Sequence, residues 1–367
     1  MAALKHKVAL LAPTIGNTIR KDPFSFYGVP RSFTIEHVPM FDALSSKLIP
    51  GRFAFAIAMR SYKKSLKKYL RDSSFDLLYA RSPAILPALL ASGIPVILEL
   101  HTLPRRGRKR FVKQCNACAK VVCLTSPMRH ELVQWGADPK RVIVEGDAVD
   151  IKRFTKLPAI KTAKHEWNLP TDRVIIGYVG SLVTFDSLKK GVDVILDAVL
   201  MLRKQKIPVF AWFVGGPSNW KEKYRKLALT KGLSSHDMRF DEAVFASSVP
   251  EVLQACDICV YPAPASKHVF FRRDTSPLKL FEYLAVGKPS IVADIPPVRD
   301  VVDATSVKFF HPGSATSLAG AIREVLNKKT EAAKRAKNGK VIAEHHTWEK
   351  RMERILGVVK TNKRKKL

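Results

Sequence analysis

Apolar positions along this chain follow two rhythms: short unbroken runs, and longer stretches in which they return every third or fourth residue. Residues 7–12 form the first run and read as a strand, followed by the loop Pro13-Thr14-Ile15-Gly16-Asn17. Residues 52–72 carry the helical rhythm, with Phe53, Ile57, Leu66, Tyr69 and Leu70 set among Arg60, Lys63, Lys64, Lys67, Lys68 and Arg71. Runs at 76–80, 95–101, 120–125 and 141–144 read as strands, with helical stretches at 85–91 and 127–134 between them. This alternation predicts a parallel sheet covered by helices. Residues 150–173 are polar and dotted with proline, and read as a linker. The alternation then begins again: strands at 174–180, 209–214, 258–261 and 290–293, helices at 192–203, 220–231, 249–255 and 317–327. The pattern predicts an α/β chain of two similar doubly wound halves.

The most sharply punctuated element lies in the second half. Ser276 suits a helix N-cap and Pro277 the first helical position, where a missing N–H is harmless. Leu278, Leu280, Phe281, Leu284 and Ala285 give an apolar face, Gly287 ends the helix and Pro289 blocks its restart. A helix start gathers free N–H groups and the positive end of the dipole, so it can seat a phosphate. Asp274 stands just before that start and Glu282 about two turns into it. A phosphate seat flanked by carboxylates suits a ligand carrying phosphate and hydroxyls; the alternative is a capped core helix with two solvated acids.

Composition narrows the picture. No apolar run is long enough to span a bilayer, and no cleavage pattern follows the first apolar run, so the chain reads as cytosolic. The net charge of +31 calls for an anionic partner: nucleic acid, an anionic membrane or a phosphorylated substrate. The basic amphipathic segment 52–72 can lie on a membrane surface, or be a domain helix with a solvated face. His101 falls at the C-terminal end of its strand, on the edge where open α/β sheets hold ligands. Arg105, Arg106, Arg108, Lys109 and Arg110 follow directly, as an anion contact near that edge or a solvated loop. Of the five cysteines, Cys115/Cys118 and Cys256/Cys259 have CxxC spacing, but the pairs lie too far apart for a small zinc module. A full GxGxxG pattern is absent after the first strand.

With both halves laid out, the chain resembles a glycosyltransferase of the GT-B fold, in the large retaining family 4. The likeness is densest at 276–289, Ser-Pro-x-Lys-x-x-Glu-Tyr-x-Ala-x-Gly-Lys-Pro. Gly180-Ser181-Leu182 with Lys190-Gly191-Val192-Asp193, Val214-Gly215-Gly216, Val249-Pro250 with Ala255-Cys256-Asp257-Ile258, and Phe310-His311-Pro312-Gly313 support it. In the first half Tyr79-Ala80-Arg81-Ser82-Pro83 and Glu99-Leu100-His101 match more weakly, and Val149-Asp150 with Phe154 resembles the segment before the family's linker. Residues 346–351 resemble its last helix, which crosses back onto the first domain.

The resemblance implies two Rossmann-like doubly wound domains facing a central cleft: 1–160 on the acceptor side, with 345–360 crossing back, 161–344 for the nucleotide sugar, and a basic tail at 361–367. It implies that Glu282 holds the ribose hydroxyls as the second acid of an E-x7-E motif. Asp274 stands at the first acid, where Glu is commoner, and would contact sugar hydroxyls. Lys190 would pair with the diphosphate, and backbone N–H groups around Ser276, Pro277 and Leu278 would seat the distal phosphate. Many relatives place an arginine where this chain has Ser181; Arg272 or Arg273 is the candidate substitute. His101 matches the active-site histidine, and Gly16, Arg105 and Arg106 are candidates on the acceptor side. The partners implied are a nucleotide sugar as substrate, a glycan or lipid-linked acceptor, and an anionic membrane surface at the cytosolic face. No cofactor and no metal are expected, since no Asp-x-Asp pair is present. Two alternatives remain: another GT-B enzyme acting on nucleotide sugars, an epimerase or phosphorylase, and a basic nucleic-acid-binding protein, for which no base-stacking module is evident.

Overall fold

Three all-parallel sheets and one short hairpin carry the fold of the computed structural model, which describes residues 1–16, 21–46 and 49–357. Asn17 and the basic tail at 361–367 lie outside the described residues, as do 358–360 of the segment expected to cross back. The chain divides into two compact units.

In unit 1, β1 (Ala9–Pro13) pairs with β2 (Thr34–Val38) in the register Ala9 to Thr34. A separate sheet runs in sequence order through β3 (Leu78–Ala80), β4 (Val96–Leu100), β5 (Lys120–Cys123) and β6 (Val142–Val144). Strand β4 is buried along its whole length, as a parallel strand covered on both faces must be. The helix Gly51–Arg71 turns Ala54, Ala58, Tyr62, Leu66 and Leu70 inward at four-residue spacing, which is the helical repeat. The helix Trp348–Gly357 belongs to this unit from Glu349 on, and its Ile355 packs with Ile97 of β4 and Val122 of β5.

In unit 2, β7 (Val174–Val179), β10 (Val209–Val214), β11 (Met238–Asp241), β12 (Ile258–Tyr261), β13 (Ser290–Ala293) and β14 (Lys308–Phe310) form one sheet in the order β11-β10-β7-β12-β13-β14. The small hairpin is β8 (Val183–Thr184) with β9 (Leu188–Lys189). From β7 the chain winds outward to β10 and β11, then crosses back to β12 and winds the other way. The order therefore reverses between β7 and β12, and the C-terminal ends of those strands are where open α/β sheets leave a crevice.

One expectation, a linker without secondary structure at 150–173, needs correction. The two compact units meet between Glu145 and Gly146, with residues 125–127 also counted in unit 2, and Val149, Phe154 and Ala163 join the core of unit 2. The expected linker thus contains the helix Ile160–Glu166. The first half holds two parallel sheets, of two and four strands.

Candidate functional site

The pocket at the switch point of unit 2 has a volume of about 130 Å³. Tyr261 and Pro262 at the end of β12 form one wall, and Phe270 and Phe271 another. Thr275, Ser276, Pro277 and Leu278 bring in the start of the helix Leu278–Ala285. Two lysines, Lys190 and Lys279, complete the lining.

The helix is held in place through its tyrosine. The Tyr283 hydroxyl accepts from the Val179 N–H at 2.9 Å and donates to the Val179 carbonyl at 3.2 Å, fixing the helix against the end of β7. Its start differs from the sequence reading. The Ser276 hydroxyl does not cap the helix; it accepts from the Asp147 N–H at 2.8 Å. Pro277, with ψ near 64°, stands at the cap position rather than the first helical one. The reason is a tight turn: Leu278 N–H donates to the Ser276 carbonyl at 3.0 Å, and Leu280 N–H to the Pro277 carbonyl at 2.8 Å.

Electrostatically the pocket is positive. Burial, with the charge of Lys279 second, pulls the Lys190 ammonium down to about 7. Its Nζ sits 3.7 Å from the centre of the Phe270 ring, in cation–π contact. Burial pulls Lys279 down to about 8, against a raising influence from Glu282. Burial also pushes the Glu282 carboxyl up, with Arg153 and Lys279 opposing it. Glu282 lies on the same helix and makes no ion pair among the described residues.

The other predicted donor-side residues divide. Arg273 and Asp274 form a bidentate pair with each other, Nε to Oδ1 at 2.5 Å and Nη2 to Oδ2 at 3.1 Å. Both side chains are about nine-tenths buried, so the guanidinium offered as a diphosphate partner is engaged by its neighbour. Ser181 is exposed; its hydroxyl donates to the Val183 carbonyl, and its own carbonyl accepts from the Tyr178 hydroxyl at 2.5 Å. Arg272 is exposed.

On unit 1, His101 stands just past β4, its Nε2 2.8 Å from Glu99 Oε1 and 3.0 Å from Arg81 Nε. Glu99 is buried at 5% exposure, and also accepts from the Tyr79 hydroxyl and from Arg351 Nη2, the latter at 2.8 Å. Burial raises its carboxyl, but the His101 hydrogen bond, the Arg351 charge and the Tyr79 hydrogen bond outweigh that and hold it at about 2. Arg105 and Arg106 are exposed in the loop after β4. The Gly16 N–H donates to Asp42 Oδ2 at 2.9 Å.

All five cysteines are free and buried, and burial raises the thiols of Cys115, Cys118 and Cys123. Among the described residues no group of three or more His, Cys, Asp or Glu stands ready for a metal ion, and no helix is long and apolar enough to cross a membrane. Sequence reasoning missed roles for Lys279, Tyr178, Arg153 and Arg351. The available signal for Lys279 was its place in the Ser-Pro-x-Lys run, between Leu278 and Leu280.

Two family models match the chain: Glycosyltransferase Family 4 over residues 1–153 and Glycosyl transferases group 1 over residues 159–341. D-inositol 3-phosphate glycosyltransferase 2 of Catenulispora acidiphila is 29% identical over 62% of this chain and 57% of its own length. Matches to curated relatives of that name thus span little more than half of their length. A glycosyltransferase from Rickettsia africae has a similar structure, with a TM-score of 0.75, 17% identity, and coverage of 99% of this chain and 92% of its own. Anabaena Alr3699/HepE in complex with UDP and glucose gives a TM-score of 0.67 at 17% identity, covering 88% and 85%. These likenesses establish the GT-B type of fold, built from two Rossmann-like units.

Proposed function

This chain belongs to glycosyltransferase family 4, and we propose that it moves a hexose-type sugar from a nucleotide sugar to a glycan or lipid-linked acceptor, with retention at the anomeric carbon. The observation that carries the proposal is the pocket at the start of the helix Leu278–Ala285, where a helix start and two lysines line one small cavity and Glu282 lies about one turn along. Breaking a sugar–phosphate bond leaves negative charge on the diphosphate. Cations already in place where that charge develops lower the barrier, because no solvent reorganisation is needed. In the retaining reaction the bond from the anomeric carbon to the phosphate oxygen breaks as the acceptor oxygen bonds the same face. The acceptor's proton passes to the leaving phosphate oxygen.

Glu282 would take the ribose hydroxyls as a charged acceptor of hydrogen bonds. Asp274, through the oxygens that Arg273 orients, would meet the sugar. Unit 1 would hold the acceptor, with His101 orienting hydroxyls from its Glu99 anchor and Arg105, Arg106 and the loop at Gly16 as acceptor contacts. The curated relatives' name specifies a phosphorylated acceptor, and an acceptor carrying an anionic group agrees with this basic unit.

A peripheral role at an anionic membrane, in polysaccharide or glycolipid synthesis, is supported by the helix Gly51–Arg71. It exposes Phe53, Phe55 and Ile57 beside Arg60, Lys63, Lys64, Lys67 and Lys68. Apolar side chains among basic ones are what a surface-lying helix offers a bilayer.

The reading is tested by measuring binding and slow hydrolysis of a panel of UDP-, GDP- and ADP-sugars by the full chain. At least one donor should bind and be hydrolysed, and Glu282→Ala should weaken its binding at least about tenfold, the worth of a charged hydrogen bond. No binding across the panel would refute the proposal, and an unchanged affinity in Glu282→Ala would refute the site.

A further inference from the structure

Phe185 stands at the tip of the hairpin β8–β9, in a backbone conformation that its side chain opposes. Phe185 and Asp186 are both left-handed, with φ of 50° and 57°, and the Ser187 N–H donates to the Thr184 carbonyl at 3.3 Å across them. A turn of this hand matches the twist of a two-residue hairpin, and it favours Asn, Asp or Gly at its central positions. Asp186 suits it. A phenylalanine there is a steric outlier, and strain of this kind is kept where the surroundings make use of it, at ligand clamps among other places.

Burial does not account for the ring. Phe185 is 75% exposed, so it forfeits most of what covering a phenyl group would contribute. Its aromatic contact is with Phe270, edge to face at 6.2 Å and 87°. Phe270 meets Phe271 in the same way at 5.1 Å, and both line the pocket. The Lys190 ammonium rests on Phe270, so Phe185 lies one aromatic ring away from it. The hairpin is anchored at both feet. A Cβ on Gly180, at φ 140°, would stand 3.0 Å from Lys279 Cε, and one on Gly191, at φ 87°, would stand 3.0 Å from the Ala263 carbonyl carbon. Leu182 and Val183 are buried between those feet. The fold therefore sets the exposed ring at the rim of the pocket.

A hexopyranose has an apolar face of C–H groups, and a flat exposed ring beside the pocket gives that face a surface to leave water against. Phe270, which Phe185 touches, opens the segment Phe270–Asp274, whose last residue is the carboxylate assigned above to the sugar. Glu282, assigned to the ribose, lies further on, along the helix. We propose that Phe185 is a specificity-determining residue that packs against the apolar face of the donor's hexose. The inference rests on the nucleotide-sugar reading above and deepens it, because it names a residue by which the pocket tells a nucleotide sugar from the bare nucleotide. Phe185 belongs to unit 2 with the donor pocket, which favours the donor's sugar over a sugar of the acceptor.

The test is titration calorimetry of the full chain with UDP and UDP-glucose, or with the nucleoside diphosphate and nucleotide sugar of whichever base binds. Wild type is compared with Phe185→Asn and Phe185→Tyr. Asn suits the left-handed turn, so the first variant keeps the hairpin and loses the ring. Phe185→Asn should lower the ratio of nucleotide-sugar to nucleotide affinity at least about threefold, as loss of an aromatic contact does, and Phe185→Tyr should keep it within about twofold. A hairpin that only positions Lys190, or a ring that stacks on the base, would move both affinities together. An unchanged ratio in Phe185→Asn, or an equal fall in both variants, overturns the assignment of Phe185 and leaves the nucleotide-sugar reading standing. If wild type binds neither nucleotides nor nucleotide sugars, both fall.

Discussion

Replacing Glu99 by Gln should loosen the sheet of unit 1 and release His101 together. The carboxylate accepts from His101, from Arg351 at 2.8 Å and from Tyr79, and Arg351 is itself only 3% exposed. Holding Glu99 at about 2 instead of an ordinary 4.5 corresponds to about 3 kcal/mol of folded-state preference for the charged form. The sign follows from the direction: a carboxyl lowered by folding contributes fully above about pH 4.5 and loses that contribution as pH falls towards 2. Glu99→Gln removes the charge that faces the buried Arg351 guanidinium, which also donates to the Glu145 carbonyl at 3.1 Å. Breaking a buried pair from one side typically costs several kcal/mol. Hydrogen exchange is the suitable assay, because peptides covering 96–100 and 349–357 report on this unit alone. At pH 7 their opening free energy should drop by about 3 kcal/mol, and the wild type's loss of protection below pH 4.5 should be reduced in the variant. A drop below about 0.5 kcal/mol, or the same acid profile in both proteins, would refute the reasoning.

Other expectations follow from the unit 2 pocket and from the basic helix. Diphosphate affinity should fall as pH rises from 6.5 to 9, because free Lys190 loses its proton near 7 and Lys279 near 8; calorimetry across that range checks it, and a flat profile would contradict it. Gly215→Ala should abolish donor binding or destabilise unit 2, since at φ near 150° its Cβ would stand 2.0 Å from the Gly180 carbonyl oxygen; an unaltered melting temperature with normal binding would sink this. The full chain should sediment with vesicles containing phosphatidylserine at low salt and release them at high salt. Replacing Phe53, Phe55 and Ile57 with Ser should weaken that binding at low salt, and a protein that stays in the supernatant at low salt has no such surface.

Much of the fold was legible because each half repeats a strong local signal. Strands β7, β10, β12 and β13 are short, unbroken apolar runs, and the amphipathic helices between them leave little choice of architecture. What was missed has weak local signals. Strand β2, Thr34–Val38, mixes Thr, Glu and His with two apolar residues and exists through its pairing with β1. The helix Lys329–His345 buries Ala332, Ala336, Gly339 and Ala343, a stripe of small residues that hydrophobic periodicity underweights. At the site, the helix at 278–285 was legible from its apolar face and its Gly-x-Pro ending, but the use of Ser276 was not. Its hydroxyl answers to Asp147, 129 residues earlier, and no local rule could choose that over capping. Lys279 was hidden likewise, since its part depends on Tyr178, 101 residues away. The Glu99 anchor of His101 relies on Arg351, 252 residues on.

The most direct measurement is a crystal structure of the full chain soaked with the nucleoside diphosphate that binds in the panel. The account predicts the diphosphate against Ser276, Pro277 and Leu278 with an oxygen within hydrogen-bond distance of both Lys190 Nζ and Lys279 Nζ, and the ribose hydroxyls on Glu282. Phosphates seated away from this helix start, or a ribose that leaves Glu282 without a contact, would contradict it.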